Sequence, residues 1–214
     1  MDRRFSLVGP GRAGMSFHGA LLTLGWQSEN VFGVGDDVAN AAQDVDLCVV
    51  AVPDRAIRSV AAKIAPGDAV VMHISGATPV SALSPHRAAA LHPLLSLADP
   101  DAGATALTTC YFACGGDPLA QEIAEELSGK WFRVDDDDRA LYHAAAAIGS
   151  NHLVALLGQV ERVADEIGVP LEAFMALVQS SVDNVARLGP KEALTGPAAR
   201  GDDATVSALS LIHI

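Results

Sequence analysis

The sequence has few positive charges: 14 Lys and Arg stand against 26 Asp and Glu in 214 residues, for a net charge of -12. A chain with this balance repels the phosphates of nucleic acids and anionic membrane surfaces, so neither is an expected partner. Cysteine is also scarce. There are three cysteines, and their spacing is not that of metal ligands: Cys48, Cys110 and Cys114. This odd number and spacing predict reduced thiols in a cytoplasmic protein and no metal site.

Long hydrophobic runs are missing as well. The first apolar stretch breaks at Gly9–Gly11, too early for the core of a secretory signal, and we expect the later stretches to fall short of a membrane span. Half of the residues are nevertheless apolar. The chain can therefore bury a sizeable core, as one large domain or as a large domain with a smaller one.

A run of three glycines with G-x-G-x-x-G spacing follows the apolar stretch Phe5–Val8 and precedes a helical pattern over 13–24. In a dinucleotide-binding turn the first glycine permits the tight turn, the second lets the backbone approach a pyrophosphate, and the third allows helix-strand packing. An incidental glycine loop is the alternative, but a strand before and a helix after favour dinucleotide binding. The predicted loop comprises Gly9, Pro10, Gly11, Arg12, Ala13 and Gly14.

Two further segments are expected beside this loop. Asp36 has the spacing of the acidic residue that binds the ribose hydroxyls of NAD, although Asp36 and Asp37 equally fit a helix N-cap. The apolar run 45–53 predicts a central parallel strand whose carboxyl end faces the cofactor. Its last three residues complete the predicted cofactor site: Ala51, Val52 and Pro53.

Polar residues at the ends of later strands are candidates for the reaction. Ser75 follows the predicted strand 69–74, where a substrate binds in open parallel sheets, but a simple turn serine is an equal alternative. His92 follows the short apolar stretch 88–91, and a neutral imidazole beyond a strand end can exchange a proton near pH 7. A structural histidine is the alternative. Ser96, in the same segment, is a candidate for substrate binding.

The remainder of the chain, after Asp135–Asp138, predicts helices. The aspartates are expected to cap a helix over 139–167, and His143, Ser150 and Asn151 interrupt its apolar surface with polar groups that need partners, a substrate being one candidate. A second helix is expected over 171–188, and a non-helical loop over 194–202. We assign Asn151 to the reaction with His92 and Ser75, and His143, Thr195 and Arg200 to substrate binding.

The sequence resembles a family of Rossmann-like oxidoreductases whose C-terminal part is a domain of unknown function, related to pyrroline-5-carboxylate reductase, prephenate dehydrogenase and 6-phosphogluconate dehydrogenase. The motifs that carry the resemblance run from residue 8 to residue 202: Val8-Gly-Pro-Gly-Arg-Ala-Gly14, Ala51-Val-Pro-Asp54, Leu91-His-Pro-Leu94, Arg139-Ala-Leu-Tyr-His-Ala144, Ser150-Asn-His152, Leu194-Thr-Gly-Pro197 and Ala199-Arg-Gly-Asp202.

This resemblance implies an α/β fold: an N-terminal Rossmann domain with a mostly parallel sheet over 1–136, and an all-helical C-terminal domain over 137–208 that commonly forms homodimers. It implies an NAD(P) cofactor, with NADP favoured by the family and NAD by Asp36. Val34 stands where many relatives have an arginine, which weakens the case for NADP. By resemblance to prephenate dehydrogenases, His92 is the acid/base group near the nicotinamide.

Together these features predict an NAD(P)-dependent oxidoreductase acting on a small polar metabolite, one that carries a carboxylate. Two alternatives remain: a non-catalytic dinucleotide sensor or scaffold, and a flavin or deazaflavin reductase. Residues 209–214 have no place in the family pattern, and we interpret them as an artificial tail on a truncated helical domain.

Overall fold

The computed structural model describes residues 3–210, which form a seven-stranded sheet with flanking helices and then a helical segment. The strands are β1 (Arg4–Val8), β2 (Gln27–Phe32), β3 (Leu47–Val50), β4 (Val70–His73), β5 (Arg87–Pro93), β6 (Phe112–Gly116) and β7 (Trp131–Arg133). The helices are α1 (Arg12–Thr23), α2 (Asp54–Ala61), α3 (Pro100–Ala106), α4 (Leu119–Leu127), α5 (Arg139–Ala147), α6 (Leu153–Asp165), α7 (Glu172–Leu188), α8 (Pro190–Ala193), α9 (Pro197–Arg200) and α10 (Asp203–Leu209).

The strand order is β2-β1-β3-β4-β5-β6-β7, and every neighbouring pair is parallel except β5 and β6. The order reverses between β1 and β3, which is the switch point where open α/β sheets bind ligands beyond the carboxyl ends of their strands. The predicted fold class, a Rossmann-like sheet followed by helices, is confirmed.

The central strands β3 and β4 bury both faces, because helices cover the sheet on both sides. Phe5 and Leu7 of β1 pack in one core with Phe17 of α1, whereas Val8 packs in the other core with Ile57 of α2. This two-sided burial explains why the central strands read as continuous apolar runs instead of alternating patterns.

The predicted loop over 194–202 is partly helical. The segment predicted as a non-helical loop contains α9, since Pro197 begins a helical turn after Gly196, and Gly201 in the left-handed region ends it. At the start of α2, Pro53 is the N-cap and Asp54 lies inside the first turn without a side-chain cap.

The described residues divide into two compact units, one extending to Ile148 and the other starting at Gly149. A single helix, Asp136–Asp165, runs across this boundary and includes one π-helical turn, Ile148–His152. By length and composition that helix could cross a membrane, with a mean hydropathy of 1.2 over an 18-residue window, none of which is buried. The expectation that every segment is too short for a span is therefore wrong.

The second unit contains α6 to α10, and α7 has no buried residue. Leu177, Val182 and Val185 of α7 are exposed by 64%, 46% and 46%. The predicted tail begins within α10, and its last four residues, 211–214, lie outside the described residues.

Candidate active site

The glycine loop joins β1 to α1, and each of its glycines has a distinct environment. Gly9 has φ +97°, and a Cβ there would lie 2.5 Å from the Ala51 carbonyl oxygen. A Cβ on Gly14 would collide with the Gly9 carbonyl oxygen and lie 3.0 Å from the Ala51 Cβ. A Cβ on Gly11 would meet no atom within 4 Å. Gly9 and Gly14 thus close the turn against β3, while Gly11 leaves open space at the start of α1.

This arrangement fits a pyrophosphate, because the backbone is exposed at Gly11 and the first amide groups of α1 point outward without a side-chain cap. Pro10 and Arg12 are exposed and Ala13 is half-buried. Val52 lies against Gly9, because a Cβ on Gly9 would be 3.0 Å from Val52 Cγ1. Pro53, the next residue, is exposed.

The turn after β2 lies beside the glycine loop, since the Gly9 amide donates to the Phe32 carbonyl at 2.9 Å. Asp36 is exposed in this turn, and its Oδ2 accepts a hydrogen bond from the Gly33 amide at 2.7 Å. No regular helix follows Asp36 and Asp37 before β3, so the alternative of a helix N-cap is wrong. The carboxylate instead stabilises the turn that ends β2.

The turn after β4 uses the Ser75 hydroxyl for its own structure. Ser75 Oγ accepts hydrogen bonds from the amides of Ala77 and Thr78, at 3.2 and 3.0 Å, and donates to Thr78 Oγ1 at 2.9 Å. The residue is 8% exposed. These contacts favour the turn alternative for Ser75, and its assignment to the reaction stays a prediction.

His92 lies within β5, as its penultimate residue, rather than beyond the end of the strand. The antiparallel pairing with β6 extends β5 past the predicted end. His92 Nδ1 lies 2.6 Å from the Tyr142 hydroxyl of α5. Burial, the neighbouring His143 and the Arg139 cation lower the pKa of His92 to about 4. The imidazole is therefore neutral near pH 7.

His143 and His92 converge on Gly76, the residue after Ser75. A Cβ on Gly76 would lie 2.7 Å from His143 Nδ1 and 3.0 Å from His92 Nε2, so a glycine is needed for both rings to approach. The two ring centroids are 6.1 Å apart. The structure thus brings together His92, His143 and the turn after β4, three of the features that the sequence singled out.

A buried arginine lies beneath this group. Arg139 is 1% exposed, and its Nη1 donates to the Ser75 carbonyl at 3.5 Å. Its Nε and Nη2 have no hydrogen-bond partner among residues 3–210, and its ion-pair partner is Asp136, at 3.5 Å from Nε. A Cβ on Gly115 of β6 would lie 2.7 Å from Nη2. The guanidinium therefore fills a space that only glycine leaves.

The aspartates before α5 do not cap it with their side chains. Asp136 instead accepts hydrogen bonds from the amides of Val80 and Ser81, at 2.6 and 3.1 Å, and so caps the short helix Val80–Leu83. Burial opposes ionisation of this carboxyl, but the two amides and Arg139 hold its pKa below the usual range. The aspartates thus precede α5 as predicted, with Asp138 at the N-cap position, but none of them caps α5 through its side chain.

The other predicted residues lie apart in the chain. Ser96 is exposed in the loop after β5. Asn151, Thr195 and Arg200 belong to the second unit, where Asn151 lies in the π-helical turn and its Oδ1 accepts from Ser150 Oγ at 2.8 Å. Thr195 precedes α9 and Arg200 ends it, exposed. The substrate-binding roles of these residues stay predictions.

Sequence reasoning missed Tyr142, Arg139 and Gly76 as members of the site. Tyr142 and Arg139 occur in the motif at the start of α5, where the spacing of three residues places them on one face of a helix. Gly76 follows Ser75 directly. The signal for all three was present, but only tertiary packing shows that they meet at the ends of β4 and β5.

Two open depressions, of about 540 and 420 Å³, lie at the amino ends of the strands, on the edge opposite to His92. Several of their charged residues are already paired, as in the 2.8 Å contact between Arg87 and Asp117. Ligands of parallel sheets bind at the carboxyl ends, so we assign the site to the edge with the glycine loop.

Comparison with known proteins supports this fold. Residues 114–210 match the model of a family described as a domain of unknown function, DUF2520. No curated protein sequence matches the chain.

Three solved structures illustrate the likeness. A protein of Thermotoga maritima has 27% identity, a TM-score of 0.75 and coverage of 95% of this chain and 87% of its own. Pyrroline carboxylate reductase of Plasmodium falciparum, with NADP bound, has 13% identity, a TM-score of 0.67 and coverage of 99% and 92%. A semialdehyde dehydrogenase NAD-binding protein of Cupriavidus necator, with calcium and NAD, has 19% identity, a TM-score of 0.64 and coverage of 92% and 86%. The chain thus has the fold of dinucleotide-binding oxidoreductases.

Proposed function

We propose that this protein is an NAD(P)-dependent oxidoreductase whose reaction takes place beside His92. The observation that carries the proposal is the glycine loop, where Gly9 and Gly14 pack against β3 while Gly11 faces open space. The bound nicotinamide would supply or accept a hydride. Similar structures with NADP and with NAD support a nicotinamide cofactor.

Within this proposal His92 exchanges the proton of the reaction. Its neutral imidazole lies at the carboxyl end of β5, and its Nδ1 is held by Tyr142 at 2.6 Å. General acid-base catalysis by a positioned side chain contributes about 10²- to 10⁴-fold to the rate of a reaction. His143, across Gly76, is in position to contact the same substrate group.

We propose NAD as the preferred cofactor. The exposed Asp36 carboxylate can accept hydrogen bonds from ribose hydroxyls, and it would repel the added phosphate of NADP. Val34 is fully exposed where a cation would be needed, and the sequence from residue 27 to residue 54 contains no Lys or Arg.

The preference for NAD is testable by fluorescence titration. Asp36→Asn should weaken NADH binding and tighten NADPH binding, and Val34→Arg should tighten NADPH binding further. Asp37→Asn is the matched control, because the Asp37 carboxylate accepts from the Ala39 amide, in the same turn. Equal affinities for both cofactors in the wild type and in all variants would contradict the assignment.

The proposed substrate is a small polar metabolite that carries a carboxylate. Arg200 is an exposed cation next to a turn that also presents Thr195, and a guanidinium binds a carboxylate in two-pronged geometry. Ser96 and Asn151 are further candidates for orienting it. Arg200→Ala should raise KM for an oxo acid more than it lowers kcat, whereas an unchanged KM would remove Arg200 from the site.

We also propose that the protein forms a cytoplasmic homodimer. The exposed apolar side chains of α7, including Leu177, Val182 and Val185, support a second copy as the partner. A net charge of -12 argues against an anionic membrane as the partner of the long apolar helix Asp136–Asp165. Light scattering should give twice the chain mass, and binding to vesicles without dimerisation would contradict the proposal.

Fluorescence titrations with NADH, NADPH, FAD and a deazaflavin, followed by a turnover screen on oxo acids and imines, test the whole proposal. Binding of NADH with turnover is the expected result. Binding without turnover of any substrate would favour the sensor or scaffold, and binding of flavins alone would favour the flavin reductase.

A further inference from the structure

Tyr142 of α5 contacts His92 through a short hydrogen bond between their side chains. The Tyr142 hydroxyl lies 2.6 Å from His92 Nδ1, and the rings meet edge to face, with centroids 5.6 Å apart and an interplanar angle of 83°. The Phe132 ring of β7 also packs against the Tyr142 ring, with centroids 5.8 Å apart. The tyrosine is therefore held in place by packing as well as by the hydrogen bond.

The ionisation of the two groups decides which of them donates. Burial raises the pKa of Tyr142 to about 12, and burial with two neighbouring basic groups lowers the pKa of His92 to about 4. Near neutral pH the phenol therefore keeps its proton, and the imidazole carries only one. Among the described residues, His92 is the one side chain to which the Tyr142 hydroxyl hydrogen-bonds. A hydroxyl that donates to Nδ1 leaves the single imidazole proton on Nε2.

Arg139 is the nearest buried charge to this pair. It lies three residues before Tyr142 in the chain, is 1% exposed, and lowers the pKa of both Tyr142 and His92. A fixed cation disfavours a charged imidazolium and stabilises a phenolate. Arg139 therefore offsets part of the burial that raises the pKa of Tyr142, and it adds to the burial that lowers the pKa of His92.

We propose that Tyr142 is a positioning residue that keeps the His92 proton on Nε2, so that the resting site is ready to deliver a proton and works as a reductase of a carbonyl or imine. This inference rests on the proposed oxidoreductase function and adds a direction and a proton source to it. The atom that faces the substrate is Nε2, on the side of Gly76 and His143.

The proton balance is complete with these groups. A reduced nicotinamide would supply the hydride, which carries two electrons to the carbonyl carbon, so that the carbon-oxygen π bond becomes a lone pair on oxygen. The oxygen takes the proton from His92 Nε2, and His92 Nδ1 takes the proton from the Tyr142 hydroxyl. The resulting phenolate is stabilised by Arg139 and regains a proton from water after the product leaves. The net reaction consumes one hydride and one solvent proton.

The tautomer of His92 is measurable without any turnover. Imidazole ¹⁵N NMR of the unliganded protein reports which ring nitrogen carries the proton, and His92→Asn identifies the signals of His92 among those of the seven histidines. We expect Nε2 to be protonated in the wild type and both tautomers to be present in Tyr142→Phe. Tyr111→Phe is the matched control, because Tyr111 is the other of the two tyrosines and is exposed by 54%.

Kinetics then test the consequence. Tyr142→Phe should lower kcat for reduction by about 10-fold or more while the Kd for NADH stays unchanged, because the hydroxyl acts through His92 and not on the cofactor. Tyr111→Phe should retain the full kcat. A wild-type protein that does not bind NADH would overturn the proposed function while leaving the NMR result valid. A proton on Nδ1 of His92 in the wild type, or an unchanged tautomer and kcat in a folded Tyr142→Phe protein, would overturn the inference itself.

Discussion

Gly76→Ala is the substitution that tests the geometry of the candidate site most sharply. A methyl group at residue 76 would lie 2.7 Å from His143 Nδ1, 2.9 Å from His92 Cε1 and 3.0 Å from His92 Nε2. These separations are shorter than van der Waals contact, so at least one ring must move. Because Gly76 has no positive φ, alanine causes no backbone strain there. The substitution therefore acts on the two imidazoles alone.

The cost is set by how far the rings can shift. Overpacking a filled site costs about 1–3 kcal/mol. For a chain of this size each kcal/mol lowers Tm by about 2–4 °C, so the expected loss is about 2–12 °C. Displacement of His92 also stretches its 2.6 Å hydrogen bond to Tyr142, and the imidazole NMR signals of both histidines should shift.

Gly67→Ala is the matched control, since a Cβ there would have only an ordinary 3.7 Å contact with the Ala42 carbonyl. Thermal unfolding and imidazole NMR are measured on both variants. A Gly76→Ala protein with the Tm of the control and with unshifted His92 and His143 signals would refute the arrangement of the two rings.

Two predictions concern stability. Burial lowers the pKa of His73 and of His92 to about 4. Between about pH 6.5 and pH 4 the unfolded chain therefore binds protons that the folded chain does not. The free energy of unfolding should fall as the pH drops through this range, by up to about 1.4 kcal/mol per pH unit for each histidine. Urea unfolding at several pH values measures this loss, His73→Asn should reduce it, and a flat profile between pH 7 and 4.5 would contradict it. Asp136→Ala removes the carboxylate that caps Val80–Leu83 and should lower the free energy of unfolding, measured in urea, by about 0.5–2 kcal/mol. Asp137→Ala, at an exposed position, is the control and should lower it less. Equal losses in the two variants would refute the cap.

Local patterns predicted the glycine loop and the two elements that flank it. The glycine loop was recognisable because its conformation, its flanking strand and its helix are all determined by neighbouring residues, and helix α1 forms within one residue of its predicted bounds. Strand β2 (Gln27–Phe32) is harder to predict, because its polar residues lie at the edge of the sheet and carry little hydrophobic signal.

The group of side chains around His92 depends on contacts between distant residues. Tyr142 meets His92 across 50 residues, and Asp136 caps the backbone of Val80 across 56. A sequence pattern places each group on its own element but does not show which elements pack together. For the same reason Ser75 was proposed for the reaction, although its hydroxyl is used by the amides of its own turn.

Calorimetric titration of the wild type and of Gly11→Val with NADH tests the central claim, that the glycine loop holds a dinucleotide. Gly11 has φ -75° and no neighbour within 4 Å of a Cβ, so valine fits the folded protein while occupying the space left for the pyrophosphate. We expect Gly11→Val to keep the wild-type Tm and to bind NADH at least about tenfold more weakly, a loss of about 1.4 kcal/mol or more. Unchanged NADH affinity in the folded variant would contradict the assignment of this loop as the cofactor site.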